Sequence, residues 1–253
     1  MTYYDDLIKD IQRINLFKKA ITQKANGIVY DLGTGSGILA EFASEHAKKV
    51  YAVEQNPFIL KKTSANFSKY DNIQLIHEDA TKHVFLEKPD IIICEMMDTA
   101  LIDEEQVPVI NNCLNYTTDS TVFIPQAAYT TIQLISTNIQ HITYYEDNVP
   151  EYMKLSEEIK YNEVIFSEKI NDKVNENIVL RAKTSGIINA IKLTTYTIIT
   201  DELITGPTPM LNPPLLIPVD KLCVEKDDKI ILDLKYIMGG GLDTIQTNIR
   251  KNK

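Results

Sequence analysis

The sequence has no tryptophan, four histidines and three cysteines. The cysteines (Cys94, Cys113 and Cys223) are far apart and odd in number. That excludes a clustered metal site and a closed disulfide framework, and it fits a reducing cytoplasm. Nowhere do about eighteen apolar residues follow one another, so no membrane-crossing helix is expected. The first residues, Met1-Thr2-Tyr3-Tyr4-Asp5-Asp6, lack the basic start and apolar stretch of a secretory signal. Runs rich in lysine and arginine are also missing: 26 basic residues stand against 35 acidic ones, for a formal net charge of −9. A nucleic-acid binder usually carries a basic surface, so this balance weighs against RNA.

What is present suffices for a full core. The chain has 253 residues, 44% of them hydrophobic and 24% charged, an ordinary globular composition. Its organising stretch is Ile28 to Gly37. Ile28, Val29 and Tyr30 read as a buried strand, and the chain then turns through Gly33, Gly35 and Gly37. Ile38 to Glu45 follows with helical spacing of apolar residues. Strand, glycine loop and helix start together suit a nucleotide-like ligand. Glycine allows positive φ and close approach, and the helix start offers unpaired N–H groups. A dinucleotide loop wants its third glycine three places after the second. Here that place is Ile38, and the third glycine is Gly37. A nicotinamide oxidoreductase is weakened accordingly.

Acids stand at the ends of the following strands. Lys49 to Glu54 reads as the second strand, and Glu54 lies 21 residues after Gly33. That is about where a carboxylate holds ribose hydroxyls in such folds, the alternative being a solvated acid. The third strand, Ile73 to His77, runs into Glu78-Asp79-Ala80. Asp79 reads equally as a ligand neighbour and as a helix N-cap. The fourth strand, Asp90 to Cys94, is apolar throughout and delivers Glu95 at its carboxyl end, where open α/β sheets bind ligands.

Around this frame the chain divides in three. Residues 3–23 carry apolar residues at helical intervals (Leu7, Ile8, Ile11, Ile14, Phe17, Ala20, Ile21), with Arg13 beside that face. Residues 27–125 alternate strand and helix, which predicts a parallel sheet covered on both faces. Asn56-Pro57 opens one helix, running to about Tyr70, and another is expected from Glu104 through Leu114. Beyond Pro125 the segments are short, β-branched and separated by Gly, Pro, Asn and Asp, an all-β pattern. Residues 141–160 form a polar insertion with a short helix expected from Pro150. The expected architecture is α/β: a helix over 1–25, a Rossmann-like sheet over 26–125, and a smaller all-β barrel or sandwich over 126–253.

The D-x-G-x-G-x-G form of Asp31 to Gly37 resembles the first motif of class I S-adenosylmethionine-dependent methyltransferases. Within that class the chain resembles the protein arginine methyltransferases. Their fourth strand ends in a glutamate followed nine residues later by a second, as Glu95 and Glu104 do here. Asp6 to Arg13 is similar to their cofactor-covering helix, and Val122 to Ala128 to their passage into a β-barrel. The family's Thr-His-Trp loop is absent, with Gly206 to Pro214 in the comparable region. The resemblance implies S-adenosyl-L-methionine as cofactor, bound by Arg13, Asp31, Gly33, Thr34, Gly35, Gly37, Glu54, Asp79 and Ala80. It implies Glu95 and Glu104 as the acceptor site for a nitrogen, such as an arginine of a protein. On residues alone, Arg13 also reads as a solvated helix arginine and Glu104 as an acid in a helix's first turn. A homodimer is compatible with the resemblance, with 141–160 as its arm. An RNA or ribosomal-protein methylase stays open, although Glu95-Met96-Met97-Asp98 replaces the Asn-Pro-Pro-Tyr type of motif. So does a non-catalytic binding protein on a degenerate methyltransferase fold.

Overall fold

The computed structural model describes residues 9–145 and 151–252. Helix α1 (Ile11–Lys24) leads into strand β1 (Ile28–Leu32), then α2 (Ile38–Ser44), β2 (Lys49–Glu54), α3 (Pro57–Phe67), β3 (Ile73–His77), β4 (Ile91–Cys94), α4 (Gln106–Cys113) and β5 (Val122–Ile124). The strands form one parallel sheet in the order β3-β2-β1-β4-β5. The chain runs outward from β1 through β2 to β3, then returns to place β4 on the other side of β1. Strand order therefore reverses between β1 and β4, and a crevice opens at their carboxyl ends. Both strands are buried along their full length, which explains their uninterrupted apolar runs.

After Ile124 the pairing becomes antiparallel. The strands β6 (Ala127–Ser136), β7 (Thr143–Tyr144), β8 (Met153–Lys154), β9 (Ile159–Ile165), β10 (Lys173–Arg181), β11 (Gly186–Thr200), β12 (Leu203–Thr205), β13 (Leu215–Val224), β14 (Lys229–Ile237) and β15 (Gln246–Lys251) follow. One sheet has the order β7-β13-β11-β6-β8, with β12 on β11 and β9 on β6, and a second is β10-β14-β15. Helix α1 buries Arg13, Ile14, Phe17, Ala20 and Ile21 and packs against α2, β5 and β11. It thus touches both the parallel and the antiparallel part. Among the described residues no helix is long and apolar enough to cross a membrane.

Three boundaries differ from expectation, each for a local reason. The apolar periodicity of 3–23 runs through Asp10, but the helix breaks there: Asp10 has φ −73° and ψ 80°, and its carboxylate caps α1 by accepting the Arg13 N–H at 3.0 Å. Tyr3, Tyr4, Leu7 and Ile8 lie outside the described residues. Helix α4 starts at Gln106, so Glu104 stands before the helix and not in its first turn. The short helix expected from Pro150 is not formed over 151–160, which runs as β8 and the start of β9; Pro150 itself lies outside the described residues. At α3 the sequence reads as folded: Asn56 Oδ1 accepts from Phe58 N–H at 3.0 Å, with Pro57 in the first turn.

Candidate active site

The crevice between β1 and β4 is a cavity. Of the residues expected in a site, Arg13, Asp31, Gly33, Thr34, Gly35, Glu54, Asp79, Ala80, Glu95 and Glu104 line it. Gly37 does not line it; that glycine is the N-cap of α2. The glycine loop is shaped by its backbone. The N–H groups of Gly33 and Thr34 both donate to Val53 O, at 3.0 and 2.9 Å, turning the chain back over β2. Gly33 has φ +72° and Gly37 φ +84°, in the left-handed region where side chains are rarely tolerated. A Cβ on Gly33 would meet Met96 Sδ at 2.5 Å, and one on Gly37 would meet the Phe67 ring at 2.5 Å. Both positions demand glycine for conformation and for packing.

Glu54 closes the loop from the β2 side. Its carboxylate accepts from Gly35 N–H at 3.0 Å and Asn56 N–H at 2.7 Å and is buried. One oxygen serves each amide, and each carboxylate oxygen can accept more than one hydrogen bond, so the group can also accept from ligand hydroxyls. Asp31 is buried beneath the loop and accepts from the Thr34 hydroxyl. Burial pushes its carboxyl up to about 6, against the pull of Thr34, the Ala40 amide in α2 and Arg13. Asp79 is committed to a turn. Its Oδ1 accepts from Thr81 N–H and Oγ1 at 2.9 and 2.6 Å, and its Oδ2 from Lys82 Nζ at 2.8 Å. The Lys82 ammonium holds this carboxyl below its usual value. No helix follows Asp79, so the N-cap expectation becomes a turn cap.

On the β4 side the side chains of Glu95 and Arg13 are both buried, and Arg13 Nη2 pairs with Glu95 Oε2. A guanidinium carried in by α1 thus sits on the carboxylate that ends β4. The sequence placed both residues at the site but did not foresee their contact. The backbone at Glu95 is bracketed by Gln106, a fully buried side chain in α4. Its Nε2 donates to Cys94 O at 2.8 Å, and its Oε1 accepts from Met96 N–H at 2.9 Å.

The loop from Glu95 to Glu104 is held on every side. Ala100 and Leu101 have φ +61° and +57°, uncommon for side-chain-bearing residues. The antiparallel part holds them there. Ala100 N–H donates to Thr195 Oγ1 at 2.7 Å, and Thr99 Oγ1 donates to Pro213 O at 2.7 Å. The N–H groups of Gly239 and Gly241 donate to Leu101 O and Ile102 O, at 2.8 and 2.9 Å. Inside the loop the Asp98 carboxylate accepts from the N–H groups of Ile102, Asp103 and Glu104 and from Tyr144 Oη. Burial, then the charges of Asp103 and Glu105, push the Glu104 carboxyl up. Among the described residues the cavity wall holds seven acids (Asp31, Glu54, Glu78, Asp79, Glu95, Glu104, Glu105) and one base, Arg13. Such a wall attracts a cation and repels a polyanion.

Asp10, Asp98 and Gln106 are the contributors that sequence reasoning missed. Asp10, besides capping α1, accepts from Thr208 Oγ1 and from Met210 N–H at 3.0 Å. The segment comparable to the Thr-His-Trp loop is thereby tied to the start of the helix that carries Arg13. Partners some 200 positions apart leave no mark on local periodicity.

The family described as "Methyltransferase domain" matches residues 29–119, the span of the parallel sheet and its crevice. That span is a class I S-adenosylmethionine-dependent methyltransferase domain. It is similar almost end to end to a protein of uncharacterized function from Methanothermobacter thermautotrophicus, 39% identical over 98% of this chain and 97% of the relative. Protein arginine N-methyltransferase 1 of Oryza sativa is 28% identical over 58% of this chain and 39% of its own length. Among solved structures, the Trypanosoma brucei PRMT1 enzyme-prozyme complex with AdoHcy has a TM-score of 0.76 at 16% identity, covering 96% of this chain and 95% of the other. At that identity the likeness is one of fold.

Proposed function

We propose that this chain methylates a guanidinium nitrogen, most simply that of an arginine side chain in a protein substrate. The observation that carries the reading is the pairing at Glu95: one of the two glutamates expected to hold the acceptor already binds a guanidinium, that of Arg13. When bound, S-adenosylmethionine supplies an electrophilic methyl group on a positively charged sulfur. The remaining work falls to the protein. The glycine loop and Glu54 would receive the adenosine, Glu54 accepting from ribose hydroxyls, while Arg13 would meet the methionine carboxylate. Glycines that no Cβ could replace, and a buried carboxylate at the end of β2, fit such a group. Glu95 and Glu104 would grip the acceptor through charge-assisted hydrogen bonds matched to its planar fork. Holding it in line with the methyl carbon supplies most of the rate. A cationic acceptor would also draw the raised Glu104 carboxyl back to its ionised form. The division into a covering helix (1–25), a cofactor-binding unit (26–125) and a substrate-facing β unit (126–253) belongs to the same proposal, as do a cytoplasmic setting and a homodimer.

The test is transfer of tritiated methyl from S-adenosylmethionine to a peptide with arginines between glycines, followed by amino-acid analysis. Label in methylarginine, absent from a lysine-substituted peptide and from Glu104→Gln, is the expected result. Label found in RNA, or in no acceptor despite bound cofactor, would contradict the proposal.

A further inference from the structure

Asp98 touches neither the glycine loop nor the expected position of the reacting atoms, yet its carboxylate is the most heavily hydrogen-bonded group in the loop that ends at Glu104. It is 6% exposed. Oδ2 accepts from Ile102 N–H at 3.2 Å, Asp103 N–H at 3.0 Å and Tyr144 Oη at 3.0 Å. Oδ1 accepts from Glu104 N–H at 3.2 Å. Three successive amides converge on one side chain, and the last belongs to an acceptor glutamate. Tyr144 comes from β7, where it pairs with Leu215 of β13. The carboxylate therefore joins the loop to the antiparallel sheet.

We propose that Asp98 is the positioning residue of the acceptor site: it fixes the backbone at Glu104 and, through Tyr144, couples that backbone to β7. The inference rests on the reading of Glu104 as an acceptor ligand. The physical case is one of preorganisation. Ala100 and Leu101 are held in the left-handed region, so the segment needs an internal acceptor to keep the three following amides facing inward. A neutral amide in place of the carboxylate cannot accept on both sides. In Asp98→Asn, keeping the three-donor side on oxygen turns the NH2 group toward Glu104 N–H, donor against donor. The bond that reaches the acceptor glutamate is the one lost.

The experiment is amide hydrogen exchange at 102–104 in the full chain, with steady-state methylation of the arginine peptide measured in parallel. In Asp98→Asn the Glu104 amide is expected to exchange at least about tenfold faster, as befits loss of a charged acceptor, and the peptide KM to rise by about tenfold. The Kd for S-adenosylhomocysteine should stay within about twofold, because the cofactor wall is untouched. Tyr144→Phe, which removes one O–H and little packing, should shift both readouts the same way by about threefold. Unchanged exchange in both variants would overturn the proposal. So would faster exchange with an unchanged peptide KM in Asp98→Asn while Glu104→Gln abolishes transfer. If Glu104→Gln transfers methyl like wild type, the acceptor reading of Glu104 fails first and takes this inference with it.

Discussion

Asp31 shows how far one buried acid can carry the chemistry of this site. Its ordinary value is 3.8, and in the folded chain it titrates near 6 because burial penalises its charge. Between those values the folded chain keeps a proton that the unfolded chain has lost. Stability therefore falls as pH rises across this window and stays down above it. Asp31→Asn, which removes the titration, should exceed wild type by about 2 kcal/mol at pH 7 and match it at pH 4, read from urea midpoints. An equal difference at both pH values would contradict burial as the cause. The same variant should bind S-adenosylhomocysteine more weakly at pH 7, since the loop keeps its shape but loses a charge. Retaining a costly carboxylate beneath a glycine loop is a pattern expected of function.

Among the elements, α1 is the one whose placement matters most. It brings Arg13 to Glu95 and is tied at its start by Asp10 to the 206–214 segment of the β part. Asp10→Ala removes both the cap and the tie, and should cost about 2 kcal/mol. Limited proteolysis of that variant should cut within α1 while sparing the parallel sheet, and cofactor addition should slow the cutting. Cleavage no faster than in wild type would mean that α1 is held by its apolar face alone. The elements themselves were largely legible in sequence. The buried run Ile91–Cys94, the Asn56-Pro57 start and the spacing around Gly33 each have a local physical cause. Glu95 was legible as an acid at the end of a central strand, and Glu104 only through the resemblance that pairs it with Glu95 nine residues earlier. The break at Asp10 was not, because apolar periodicity continues across it. Nor were the roles of Asp98 and Gln106, since each acts by hydrogen-bonding backbone several positions away, which no hydrophobic pattern records. The shape of Ala100 and Leu101 depends on Thr195 of β11 and Gly239 of the turn after β14, in a region that the sequence marks only as β-rich.

At the scale of the whole molecule, one parallel sheet holds the cavity and two antiparallel sheets follow it in the chain. The parallel sheet supplies the crevice where strand order reverses, with the glycine loop on β1 and Glu54 on β2. Among the described residues the antiparallel part supplies none to the cavity wall; it braces the loop from Glu95 to Glu104 and the start of α1. On this account the cofactor wall and the acceptor wall are separable, and titration of S-adenosylhomocysteine by calorimetry, paired with methyl transfer to the arginine peptide, tests that most directly. Glu54→Ala should lose at least about a hundredfold in affinity. Glu104→Gln should bind like wild type yet transfer no methyl group. Equal loss of binding in both variants, or full transfer by Glu104→Gln, would contradict the account.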